Sequence, residues 1–247
     1  MIQPKNKKGS FSYDSETKTI HVNRYGVDYS VPYPCLTHNV MYELSEFFGS
    51  GITSSVFTIK TFDNKEWVLR MTPLEVPIAG PDCDLEIAEP DECVIITKDK
   101  FIEQAQITQK LGDAGIAPYV LDWWLCEDER THNKYQKHLD LGFIVSEKYD
   151  MSLRYFIDHY PQSYVTQYEE IVNQLDTIVN RMLDNFKLCH GDLHTDNIIV
   201  KISGPDHHVD GIRLIDFDNV TPCESKWVWS ELQKGLAYDF EEAVDET

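Results

Sequence analysis

The sequence predicts an α+β protein of two lobes, a β-rich first half followed by a helix-led second half. Three observations carry this. Between residues 41 and 71, β-branched and aromatic runs (Val56-Phe57-Thr58-Ile59, Trp67-Val68-Leu69) are separated by a glycine turn and by Asp63-Asn64, the pattern of an antiparallel meander. From about 165 to 186, Tyr168, Ile171, Val172, Leu175, Ile178, Val179, Met182 and Phe186 recur at steps of three and four. That spacing makes a helix with one apolar stripe, and such a stripe must face a core. Two short strands, 197–202 and 211–215, come after it, and 230–244 has helical character. Ligands tend to bind in the cleft that two lobes leave between them.

The remaining elements follow in order. Residues 1–40 form an N-terminal extension in which TKTIHVNRYGVDYSVPY alternates apolar and polar residues around Arg24-Tyr25-Gly26, a hairpin pattern. The first lobe spans 41–149. Within it, 73–97 is an insert with four prolines between 73 and 90 and six acids between 82 and 92, which leaves little to build a core. It reads as an exposed loop. A helix follows at about 98–112, stopped by the glycines at 112 and 115. Residues 117–121 and 142–145 read as strands joined by the polar loop 127–138. The second lobe is 150–247.

Composition narrows the function. A chain of 247 residues, 42% apolar and 12% aromatic, can bury a substantial core and is not disordered. Its net charge of −20 repels phosphate backbones and anionic lipid heads, which argues against broad nucleic-acid binding and polybasic membrane docking. No apolar run approaches the length of a membrane span, and no hydrophobic segment follows the basic N-terminus. The six cysteines (35, 83, 93, 126, 189 and 223) form no CxxC pair and are irregularly spaced. They read as reduced thiols, which implies a cytoplasmic protein.

The residues that carry chemistry are concentrated in His190-Gly191-Asp192-Leu193-His194-Thr195-Asp196-Asn197 and Leu214-Ile215-Asp216-Phe217-Asp218. An Asp, an Asn five residues on and an Asp 24 residues after the first make a set suited to phosphoryl transfer. One carboxylate accepts the proton of the attacking hydroxyl; the amide and the second carboxylate hold magnesium against the phosphates. A second reading is a metal site, because His190, Asp192 and His194 alternate and would share one face if extended.

HGDLHxxN resembles the catalytic loop of the protein-kinase-like superfamily, in the form found in aminoglycoside and choline phosphotransferases and in RIO-type atypical kinases. The resemblance covers about 42–218. It implies a two-lobed protein-kinase-like fold with a β-rich N-lobe and a helical, truncated C-lobe, which binds ATP and Mg2+. It makes Asp192 the catalytic base and Asn197 and Asp216 the metal ligands, with Asp218 in place of the glycine of DFG. The segment 48–57 resembles the glycine-rich loop, with Gly49 and Gly51 letting backbone amides approach the phosphates. Ser54 stands for the third glycine and Val56 for the residue over adenine. Arg70, fourteen residues after Val56, holds the position of the phosphate-binding lysine. Its helix partner is Glu103, four before Ile107, or Gln104, the register position; the apolar residue at the fourth step favours Glu103. Ser146 would be the gatekeeper, and the backbone from Glu147 to Tyr149 would bond the adenine. Asp239 falls where such folds place an acid bracing the catalytic loop.

Only 29 residues follow Asp218, and none resembles the APE segment of typical protein kinases. The implied function is therefore a phosphotransferase acting on a hydroxyl, a protein Ser/Thr slightly ahead of a small molecule, with a protein partner able to complete the substrate platform. A nucleotide-binding pseudokinase is the alternative, since Arg70 and Ser54 depart from the pattern.

Overall fold

The computed structural model describes residues 9–14, 16, 19–24, 27–32, 35, 42–50, 54–75, 77–78, 94–127, 132–133, 140–223 and 227–246. It is an α+β chain whose described strands all pair antiparallel. Two compact units divide it: Met1–Ala105 with Val120–Lys148, and Gln106–Tyr119 with Tyr149–Thr247.

The first unit contains two larger sheets. Strands β1 (Gly9–Asp14), β2 (Thr19–Arg24) and β3 (Val27–Pro32) form a meander, and β10 (His132–Asn133) pairs with β3. The expected hairpin is present as β2–β3, with β1 added to it; residues 25 and 26, expected to turn it, lie outside the described residues. The second sheet has the order β4 (Tyr42–Ser50), β5 (Ser55–Thr61), β6 (Glu66–Leu74), β11 (Asp140–Glu147), β9 (Val120–Cys126). The strand predicted at 117–121 thus runs further on, through Trp123 and Trp124.

Strand β11 is buried on both faces, which its apolar run requires. Phe143 and Val145 enter a core with Phe57, Ile59, Leu69, Met71 and Trp124, joined by Ile20, Val22 and Val31. Ile144, one residue out of phase, faces Phe101 and Ala105 of helix α1 (Lys98–Asp113). Gly142 is required here, because a Cβ would occupy the ring of Phe101. Most of the acidic insert lies outside the described residues; at its ends β7 (Pro77–Ile78) pairs with β8 (Val94–Ile95).

The second unit is built on helix α3 (Pro161–Phe186), which begins with proline at its first turn and ends on Lys187 in the left-handed conformation. Its stripe of Ile171, Leu175, Ile178 and Met182 is buried against the strands β14 (Ile198–Ser203) and β15 (His208–Leu214) and helix α4 (Trp227–Glu246). Helix α2 (Leu153–His159), not foreseen, starts where the Ser152 hydroxyl accepts from the Tyr155 amide. Short strands β12 (Met151–Ser152), β13 (Leu188–Cys189) and β16 (Thr221–Pro222) complete the unit; β12 pairs with β14, and β13 with β16.

The cysteines overturn the expectation of reduced thiols. Cys35 is bonded to Cys126, and Cys189 to Cys223, with Cα separations of 5.4 and 5.6 Å that suit a disulfide. Irregular spacing carried no signal, since the partners lie 91 and 34 residues apart; strand pairing brings Cys189 to Cys223, and Cys35 and Cys126 meet in the core of the first unit. The cytoplasmic expectation rested on free thiols and loses that support. Cys83 and Cys93 lie outside the described residues.

Candidate functional site

In the second unit, strand pairing brings the two chemical segments together. Ile198 is opposite Leu214 in the β14–β15 pair, so Asn197 enters β14 at the end where Asp216 leaves β15. The Ile215 amide donates to the Asn197 carbonyl at 2.9 Å. At the other end of the loop, Cys189 pairs with Thr221 and is disulfide-bonded to Cys223. The loop 190–197 and the turn 216–220 are therefore fastened to each other on both sides.

His190 lies between them. It is buried, tilts against Phe217 with ring centroids 5.2 Å apart, and places Nε2 2.7 Å from the Ile215 carbonyl oxygen. A carbonyl only accepts, so Nε2 carries the proton. Burial pushes the imidazole below its ordinary value, against the pull of that hydrogen bond. His194, by contrast, is exposed, so the two histidines do not share a face as the alternating metal reading requires. Among the described residues no group of three or more His, Cys, Asp or Glu is placed to hold a metal ion.

The depressed pKa makes a prediction. Unfolded His190 binds a proton below about pH 6.5, whereas the folded ring resists it until lower pH. The stability contributed is complete above that value and is lost as pH falls through it. Melting temperatures of wild type and His190→Gln, measured from pH 7.5 to 5, should converge on acidification; a constant gap would contradict a neutral buried ring.

Asp192 is exposed on the loop, following Gly191 at φ +78°. Asn197 is buried, and its amide nitrogen donates to the Asp192 carbonyl at 2.9 Å and to His194 Nε2 at 3.0 Å. The carbonyl fixes the amide's orientation: nitrogen faces the loop, and Oδ1 is turned away from it. His194 then carries its proton on Nδ1, 3.7 Å from Asp196 Oδ2. Asp216 is exposed and adopts φ 65°, ψ 64°, a conformation that Asp tolerates better than most residues. Asp218 is half-buried beside it. An amide oxygen and carboxylates are hard donors that fit Mg2+, which commonly takes one or two protein carboxylates and completes its shell with phosphates and water.

Asp239 is buried on α4, paired with Arg154 at 3.0 Å. Tyr149 is also buried in this unit, with Lys201 Nζ 5.6 Å and the Arg213 guanidinium 6.0 Å from its ring centre.

The other candidates lie in the first unit. Gly49 pairs with Val56 next to a bulge in β4, and Gly51 lies outside the described residues. Arg70 sits on β6 between Val56 and Ile144, and its Nε donates to the hydroxyl of buried Ser54 at 3.0 Å. Ser146 and Glu147 end β11, both half-buried. On α1, Glu103 is exposed and Gln104 is buried, so the inward position is the register one.

Residues 129–224 match the ecdysteroid kinase-like family. That family lies in the protein-kinase-like superfamily, the one whose loop the sequence resembles. The matched segment contains Asp192, Asn197, Asp216 and Asp218. No curated protein matches the chain. Among the described residues no helix is long and apolar enough to cross a membrane.

Proposed function

We propose that the protein is an ATP- and Mg2+-dependent kinase that phosphorylates the hydroxyl of a small molecule. The observation that carries this is the loop 190–197 fastened to the turn 216–220, with Asp192 in solvent and Asn197 and Asp216 at the same end of one strand pair. In the reaction, the acceptor oxygen bonds to the γ-phosphorus, the bond to ADP breaks, and the hydroxyl proton passes to the Asp192 carboxylate. Asn197 Oδ1 and Asp216 would hold Mg2+, which neutralises charge on the phosphates when bound. For the nucleotide we assign Gly49, Gly51, Ser54, Val56 and Arg70, with Gln104 in place of Glu103, and Glu147 and Tyr149 beside adenine. The two-lobed kinase arrangement is part of this proposal.

A small-molecule acceptor is preferred to a protein Ser/Thr because the matched family is described as ecdysteroid kinase-like. The pseudokinase reading keeps one observation in its favour: Arg70 is spent partly on Ser54.

A thermal-shift titration tests the proposal. At a hundredfold excess over Kd, a ligand bound only to the folded state stabilises by about 2.7 kcal/mol, or roughly 5–10 °C for a chain of this size. ATP with Mg2+ should produce such a shift in wild type and less than half of it in Asp216→Ala. No shift in wild type, with or without metal, would remove the nucleotide. Radiolabelled ATP offered with generic proteins and with a metabolite extract identifies the acceptor class; label confined to protein would reverse the preference.

A further inference from the structure

We propose that Arg154 is a positioning residue, which holds the catalytic loop through the hydroxyl of Thr195. This rests on the kinase reading above. Arg154 stands on α2, half-buried, and uses its whole guanidinium. Nη1 and Nη2 each donate to Asp239 Oδ1 at 3.2 Å, and Nη2 donates to Asp239 Oδ2 at 3.0 Å. Nε, on the other edge of the fork, donates to Thr195 Oγ1 at 3.1 Å. Asp158, one turn along α2, lies 3.6 Å from Nη1.

The two ends of this relay serve different purposes. Asp239 is a buried carboxylate and needs a cation wherever the loop lies. Charge balance does not require the bond to Thr195. Thr195 opens the 3-10 turn Thr195–Asn197, three residues after Asp192, and is itself buried. Fixing it fixes the turn that ends in Asn197, and Asn197 in turn holds the Asp192 carbonyl. A planar fork can grip a carboxylate and a hydroxyl in fixed directions at once, which an ammonium cannot. The relay thus runs from α4 through α2 to the proposed base and metal ligand. Asp239, the acid expected to brace the loop, reaches it through Arg154.

Thr195→Val keeps the shape and removes the acceptor, so it should fold. Two readouts are taken on it: hydrogen exchange of the Asn197 and Ile215 amides, whose bonds close the loop, and ADP release from MgATP in the presence of the hydroxyl acceptor found by radiolabelling, which takes the γ-phosphoryl group. Exchange at these amides should rise about ten-fold with melting unchanged. The kcat should fall about ten-fold, with KM for MgATP within about two-fold. Arg154→Lys, which keeps a cation beside Asp239, should behave in the same way. Wild-type exchange and turnover in Thr195→Val would overturn the relay and leave the kinase reading intact. A general loss of stability with uniformly faster exchange would make the contact merely structural. A wild type that releases no ADP would sink the kinase reading, and this role with it.

Discussion

Asp192→Asn is expected to lower phosphoryl transfer by about 10²- to 10⁴-fold, the range that a positioned general base contributes, while affinity for MgATP stays within about three-fold. The split follows from the geometry. The structural partner of Asp192 is its backbone carbonyl, which accepts from Asn197 and is untouched by the substitution. Its carboxylate stands in solvent, with Oδ2 3.8 Å from His194 Nε2. An amide of the same shape therefore costs the fold little, yet it cannot take a proton from a hydroxyl. Initial rates over a range of MgATP concentrations, with the acceptor found by radiolabelling, separate the two quantities. Unchanged kcat would remove Asp192 from the chemistry, and an equal loss of nucleotide affinity would reassign it to binding.

The parts legible in the sequence were those written in contiguous residues. The stripe on α3 announced itself through one period repeated over six turns, and it is buried as expected. Asp192, Asn197 and Asp216 stood out because loop chemistry depends on short spacings, and the strand pairing does bring their segments together. What was missed depends on partners far apart in the chain. Strand β10 has two residues and gains its identity only from β3. The disulfides join positions that no local pattern relates. Helix α2 was missed because seven residues show little periodicity, although Ser152 before Leu153 was a usable cap signal. Glu103 was preferred through its apolar partner four residues on. The inward face of α1 is set instead by Phe101, packed where Gly142 has no side chain, and Gln104 and Ala105 share that face.

Gly191→Ala is expected to destabilise the protein by about 3 kcal/mol or more and to abolish transfer. Two costs add at this position. Gly191 has φ +78°, where a residue with a Cβ loses roughly 1–2 kcal/mol. The new methyl would also collide with the carbonyl oxygen of Asn219, which lies against the glycine. Overpacking of this kind costs roughly 1–3 kcal/mol more. Relief requires the loop 190–197 to part from the turn 216–220, and that movement pulls Asp192 away from Asp216. Gly204 separates the two costs, because it has φ +68° but nothing within 4 Å of an added Cβ. Gly204→Ala should thus show the backbone cost alone, a loss of roughly 2–8 °C in melting temperature. Gly191→Ala should lose roughly 6–12 °C by the same scale. Equal losses in the two variants would mean that the loop yields freely at Gly191, and that the contact with Asn219 does not hold the two segments together.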